Sequence, residues 1–258
     1  MGYQFLTLEK HANIWTLKLK REEVFNALNA GLIHEIRDVA EKAQISDEMR
    51  VLVITGIGKA FCSGADLKAG LVDPDLGNVL RETYNPMILA LRNLEKPIIA
   101  AVNGPAAGAG CSLALACDVI IAKESAYFSE LFVQIGLTLD AGSTAFLMQT
   151  VGYHKAFEIA SSGRKISAEE AKQLGWVMEV IQDVDWEERV NQIAQDYANK
   201  PTRALALMKA AFQKVGTLNL EKALELEAEY QSIAGQTSDF SEGVMAFLQK
   251  RIPVYSGK

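Results

Sequence analysis

The sequence is poor in the groups on which several common chemistries depend. It has three histidines, His11, His34 and His154. None shares a segment with other candidate catalytic residues, so they read as surface or packing residues. No Ser-His-Asp arrangement and no metal cluster can be assembled from them. Three cysteines, Cys62, Cys111 and Cys117, sit among apolar or small residues. An odd number in such settings argues against a disulfide framework and fits a reduced, cytoplasmic protein. Lys and Arg number 26 against 32 Asp and Glu, for a net charge of −6. No basic surface suited to nucleic acid is therefore expected. No apolar run reaches the roughly 18 residues that a membrane span needs. The opening residues lack a basic stretch followed by an apolar one, so no signal peptide is expected. There is no G-x-G-x-x-G and no P-loop. A repeat of fixed period and a low-complexity linker are both missing.

What is there suits one α/β domain. The chain has 258 residues, 49% hydrophobic and 22% charged, enough for a large core. Segments 3–9 and 13–19 flank a His11-Ala12-Asn13 break and read as a hairpin. Leu28, Leu32, Ile36, Val39 and Ala40 recur at helical spacing over 27–43, with Asn26 as a candidate cap. Segments 51–55, 98–102, 119–122 and 177–181 are short apolar runs of the kind found in buried parallel strands. Segments 79–94, 142–151 and 153–162 read as helices. Ser167-Ala168-Glu169-Glu170 forms a capping box before a short helix closed by Gly175. Asp185 precedes a helix with Trp186, Val190, Ile193, Ala194 and Tyr197 on one face. After Pro201 the pattern is helical to about 249. Strand and helix alternate over 50–180, which predicts mainly parallel pairing. The chain divides into a core over 1–200 and a helical region over 201–258 of the same domain.

Two segments stand out. Each follows a buried strand and is made of small residues: 59–67, Lys-Ala-Phe-Cys-Ser-Gly-Ala-Asp-Leu, and 103–111, Asn-Gly-Pro-Ala-Ala-Gly-Ala-Gly-Cys. Small residues admit a ligand close to the backbone, and a helix start leaves amide N–H groups unpaired. Two such turns side by side would aim two donors at one oxygen, the geometry that holds a developing oxyanion. The alternative is that small residues only allow tight helix–strand packing.

ITGIGKAFCSGADL and KPIIAAVNGPAAGAGCSLALACDVIIA resemble the two signature stretches of the crotonase (enoyl-CoA hydratase/isomerase) superfamily. REEVFNALN, YFSELFVQIGLTLDAGST, ISAEEAKQLGWVMEVI and EGVMAFLQKRIPVYSGK match in family order across nearly the whole chain. The resemblance implies an α/β fold, a crotonase-like ββα spiral core with a C-terminal helical trimerisation region, assembled as trimers or hexamers. It implies an acyl-CoA thioester as substrate, coenzyme A arriving as part of it, with no separate cofactor or metal. The backbone N–H groups of Ala65 and Ala109 would hold the thioester enolate. Backbone near Val24 and over Ser63, Gly64, Ala65, Asp66 and Leu67 would hold the CoA, with Lys68 nearby and Gly108 beside the second donor. Phe247 and Lys250 match residues that reach a neighbouring subunit's CoA; read alone they are helix core and a solvated charge.

Hydratases of the family carry two glutamates, because adding water needs one group for the water and one for the proton on carbon. Their positions map to Ser112 and Phe132. Glu130, two residues from the second position, would share a face with Phe132 in an extended segment, and reads as a solvated or structural carboxylate. Asp140 reads locally as a helix N-cap. Family members with aspartate there use it on the substrate, and the stretch from Tyr84 to Gly110 followed by FVQIGLTLDAGST is most similar to the epoxyphenylacetyl-CoA isomerase branch. The resemblance thus implies an enoyl-CoA isomerase, in phenylacetate or fatty-acid catabolism, with Asp140 as its single acid/base. Leu131, Phe132, Leu137 and Leu139 would desolvate that carboxyl and raise its pKa. A dehalogenase would need a histidine and a tryptophan near the reacting ring, and neither is present. The rival readings are an enoyl-CoA hydratase and a non-catalytic acyl-CoA-binding scaffold.

Overall fold

A computed structural model of the protein describes residues 2–68 and 75–258. Two strands, β1 (Leu6–His11) and β2 (Ile14–Leu19), form the expected antiparallel hairpin. From β2 the sheet grows in parallel through β3 (Val51–Gly56), β4 (Ile98–Val102), β6 (Val119–Lys123) and β9 (Glu179–Ile181). A second, smaller sheet holds β5 (Ala106–Ala107), β7 (Tyr127–Ser129) and β8 (Ile166–Ser167). These three strands escape sequence reading because each has only two or three residues, too few to show a period.

Alternation along the central strands sends side chains to two faces. Leu52, Ile54, Ile98, Ala100 and Val102 pack into the larger core with α1 (Ala30–Gln44) and α3 (Asn85–Asn93). Val51, Val53, Ile99, Ala101 and Ile121 pack on the other side against Trp186, Ile193, Ala194 and Ala198 of α7 (Trp186–Ala198). Burial on both faces is why these strands read as continuous apolar runs. Between β3 and α3 lie α2 (Leu76–Val79) and a π turn, Leu80–Tyr84. The sequence reads 70–93 as a pocket-forming helix; residues 70–74 of it lie outside the described residues, and 76–93 form α2, the π turn and α3. After β5 come α4 (Ala109–Leu115), α5 (Ser143–Ser162), α6 (Ala168–Gln173) and, past α7, α8 (Thr202–Val215), α9 (Leu220–Ala234) and α10 (Ser238–Leu248). Gly152 interrupts α5 with φ +70°, so the two helices read there meet at a kink.

Several end signals differ from expectation. Asn29, not Asn26, caps α1, its side chain accepting from the Leu32 N–H. Asn26 is fully buried in left-handed backbone, and its amide accepts from Arg21 N–H and donates to the carbonyls of Ile57 and Ala60. It braces the turn after β3 instead of starting a helix. Ser167 caps α6, but Glu170 turns its carboxylate to Arg164 instead of closing the box. Asp185 precedes α7 without a side-chain capping bond. No helix among the described residues is long and apolar enough to cross a membrane.

Asn26→Ala would strand one buried N–H and two carbonyls. It is expected to lower unfolding free energy by about 2–4 kcal/mol in urea titrations.

Candidate active site

The two small-residue turns lie against each other in parallel register. Cys62 N–H donates to Pro105 O (3.1 Å), and Ala107 N–H donates to Cys62 O (2.9 Å). Asn103 ties them from one end, its Oδ1 accepting from Gly56 N–H and its amide donating to Gly58 O. On the far side, Leu28 N–H donates to Gly64 O (2.7 Å) and Asp66 N–H to Leu28 O (2.9 Å). In such a parallel bridge the middle residue points its own N–H the other way. That residue is Ala65. Ala109, first residue of α4, is likewise a helix-start amide with no partner further back. No backbone hydrogen bond among the described residues uses either N–H.

Gly64 decides how close the two donors come. Its φ is +95°, and a Cβ there would lie 2.8 Å from Ala107 O and 3.5 Å from Ala109 N. A side chain would wedge the turns apart. The packing reading of the small residues holds as well: a Cβ on Gly110 would stand 2.3 Å from Cys62 O. Tight packing and paired donors are one arrangement, because close approach of the turns is what brings the amides together.

Ala65 and Asp140 line one cavity of about 600 Å³. Its walls include Leu28, Ile33, Leu67, Leu76, Tyr84, Leu137 and Leu139. Asp140 does not cap a helix. Gly142 takes the N-cap place of α5, and Asp140 offers only its backbone carbonyl, to Ser143 N–H (3.0 Å). Its Oδ1 is buried with no hydrogen-bond partner. Burial pushes its carboxyl up to about 6. The cause is lost hydration of the charged form. Tyr84, buried on the same wall, has its phenol pushed upward by burial and then by the charge of Asp140. Nothing local in the sequence marked Tyr84, beyond its place at the head of the matched stretch starting YNP.

The remaining site residues fall as follows. The Val24 carbonyl accepts from Ser63 Oγ (3.1 Å), holding the two backbone segments together. Asp66 spends its carboxylate on Arg21, 2.7 Å away and nearly buried, so its side chain fixes the turn. Lys68 is exposed at the rim, its N–H donating to Asp66 Oδ1. Phe132 is buried, with its ring beside Gly108. Phe247 is exposed on α10, Lys250 follows that helix in left-handed backbone, and neither lines the cavity within one chain. Glu130 is not a solvated carboxylate. It is fully buried, and a 3-10 turn, Leu131–Ile135, starts just after it, so it does not share an extended face with Phe132. Its Oε1 lies 2.7 Å from Ser143 Oγ, and its Oε2 has no partner. Burial, reinforced by the charge of Asp140, raises it to about 7.

Ala65 and the orphaned Asp140 carboxyl share the cavity, while Ala109 is buried and is not among its lining residues. Residues 9–258 fit the sequence family described as enoyl-CoA hydratase/isomerase. The chain belongs to that family. It is 43% identical to a probable enoyl-CoA hydratase of Rhodobacter capsulatus, over the full length of both. It is 38% identical to the 1,2-epoxyphenylacetyl-CoA isomerase of Escherichia coli, over 99% of each chain. A crystal structure of enoyl-CoA hydratase from Bacillus anthracis superposes with a TM-score of 0.92 at 32% identity, covering 99% of this chain and 100% of that one. The crotonase-like fold expected from the sequence is thereby established, helical C-terminal region included. For an enzyme of this family, two N–H donors can hold the oxygen of a thioester while a carboxylate works on the adjacent carbons.

The raised carboxyl of Asp140 has a consequence for stability. A folded-state pKa above the unfolded one contributes stability that is complete below the unfolded value near 4 and lost as pH rises through about 6. Asp140→Asn is therefore expected to be more stable than wild type at pH 8, by about 2–3 kcal/mol. The gain should shrink to little at pH 4, as read by thermal melts across that range.

Proposed function

We propose that the protein shifts a double bond in an unsaturated acyl-CoA, with Asp140 as its single acid/base. The observation that carries this reading is the Asp140 carboxyl: on the cavity wall, one oxygen buried and unpartnered, poised near 6. A carboxylate so placed is a stronger base than an exposed one and is still ionised at neutral pH. It takes a proton from C2 of a 3-enoyl thioester. The C–H electrons move into the dienolate, whose oxygen is held by the N–H groups of Ala65 and Ala109. The same carboxyl then returns the proton to C4, leaving the double bond at C2–C3. One base serves both transfers, and no other reactant is consumed.

The rest of the acyl-CoA would follow the turns. Backbone near Val24 and over Ser63–Leu67, with Lys68 at the rim, holds the CoA arm. Phe247 and Lys250 complete the site from a neighbouring copy in a trimer or hexamer. Phenylacetate-type or fatty acyl groups both suit a cavity of this volume, whose walls include several leucines and Tyr84.

Hydration is the second reading, favoured by the names of relatives such as the Rhodobacter capsulatus protein. The residues speak against it. Ser112 and Phe132 stand where two carboxylates would be needed, and Glu130 does not line the cavity. Assays with 3-enoyl-CoA and 2-enoyl-CoA on wild type and Asp140→Asn separate the two. The expected outcome is double-bond shift in wild type, weak hydration, and loss of the shift by at least about 100-fold in the variant. Undiminished turnover in Asp140→Asn would sink the role given to this residue. Dominant hydration would favour the second reading, and no acyl-CoA binding by calorimetry would leave a scaffold.

Because the base must be ionised, kcat/KM for the shift should rise with pH through an apparent pKa near 6. A profile flat from pH 5 to 8 would contradict the assignment.

A further inference from the structure

Glu130 is a buried carboxyl that the proposed double-bond shift leaves idle. It is fully buried, yet off the cavity wall. From it runs a chain of short contacts. Glu130 Oε1 is 2.7 Å from Ser143 Oγ, Ser143 Oγ is 2.8 Å from Ser112 Oγ, and Ser112 Oγ is 3.3 Å from the Gly108 carbonyl oxygen. All three side chains are buried. A hydroxyl carries one proton, so Ser143 cannot donate both to Glu130 and to Ser112. With Glu130 ionised the protons run from Ser112 to Ser143 to Glu130; with Glu130 protonated they run the other way, and only then does Ser112 keep its proton for Gly108 O. A protonated Glu130 donates to Ser143, Ser143 to Ser112, and Ser112 to Gly108 O. Burial and the nearby charge of Asp140 push Glu130 toward that neutral form, while a bond from Ser143 pushes it toward the ionised one.

The chain ends at a telling atom. Gly108 O already accepts the N–H groups of Cys111 (2.8 Å) and Ser112 (3.1 Å). It belongs to the same peptide group as the Ala109 N–H. Donors on an amide oxygen draw electron density through the C–N resonance and leave the N–H a stronger donor. A serine bonding back to the i−4 carbonyl is by itself ordinary in helices. A buried carboxyl placed behind it is not, because the unpartnered Oε2 costs stability.

We propose that Glu130, Ser143 and Ser112 form a buried relay that polarises the Gly108–Ala109 peptide and strengthens the Ala109 N–H toward the substrate's thioester oxygen. This rests on the acyl-CoA reading above. Glu130 is a positioning residue in it, acting through the two serines. The relay also joins the start of α4, which carries one oxyanion donor, to the start of α5, which follows Asp140.

The test is isotope-edited infrared spectroscopy of but-2-enoyl-CoA labelled with 13C at its carbonyl. It is bound to wild type and to the Ser112→Ala, Ser143→Ala, Glu130→Met and Glu130→Gln variants. Binding to wild type should lower the carbonyl stretch. The alanine and Met variants should return it part of the way to its free value, with kcat down about threefold to tenfold and KM little moved. Glu130→Gln should retain most of both, since its amide N–H can donate to Ser143. Melting temperature should not fall in Glu130→Met, which removes an unpaired buried oxygen; if that variant does not fold, the serine variants decide. An unchanged stretch across folded variants, or a Gln variant as impaired as Met, overturns the relay and leaves the acyl-CoA reading standing. Absence of any shift in wild type overturns both.

Discussion

Everything at the site depends on one backbone arrangement, the parallel pairing of the turn after β3 with the turn after β4. Cys62 bonds to Pro105 and Ala107 on one side, and Leu28 bonds to Gly64 and Asp66 on the other. Between these bonds the N–H of Ala65 has no backbone partner among the described residues, and Ala109 starts a helix close to Gly64. The donors are free because their neighbours are satisfied. Unpaired amides are costly when buried, and Ala65 lines a cavity where an oxygen can supply the missing bond. Asn26, Asn103 and the Arg21–Asp66 pair hold the turns from outside that line.

Around the donors the protein keeps two carboxyls where carboxyls are expensive. Asp140 and Glu130 each have an oxygen without a partner, and both are pushed upward by burial. Neither is explained by stability, since an apolar residue of similar size would cost less. A fold keeps such groups where chemistry repays the cost. Their settings differ in a way that separates their roles. Asp140 lines the cavity, while Glu130 does not and is hydrogen-bonded to Ser143, which in turn contacts Ser112.

Much of the fold was legible because the central strands are buried on both faces. Such strands carry uninterrupted apolar runs, and residues 51–55, 98–102 and 119–122 show them plainly. Strands β5, β7 and β8 were not legible, being too short for any pattern, yet β5 and β7 place Gly108 and Glu130 side by side through the Gly108 N–H bond to Ser129 O. Caps were misread where two candidates stood close together. Asn26 and Asn29 are equally good cap residues by type, and only the path of the chain through the left-handed Phe25 and Asn26 selects the second.

For the site, the amino-acid sequence by itself determined the two small-residue turns, the absence of carboxylates at 112 and 132, and, through its matched segments, the family. Those are matters of residue type and order. Only the tertiary structure decided that Asp140 is not a cap and that Tyr84 joins its wall. Only it showed Glu130 fully buried instead of solvated. Each of these depends on which groups from distant segments exclude water from a side chain. Residues 84 and 140 share a cavity wall, residues 112, 130 and 143 a buried hydrogen-bonded cluster, and no local pattern encodes either meeting.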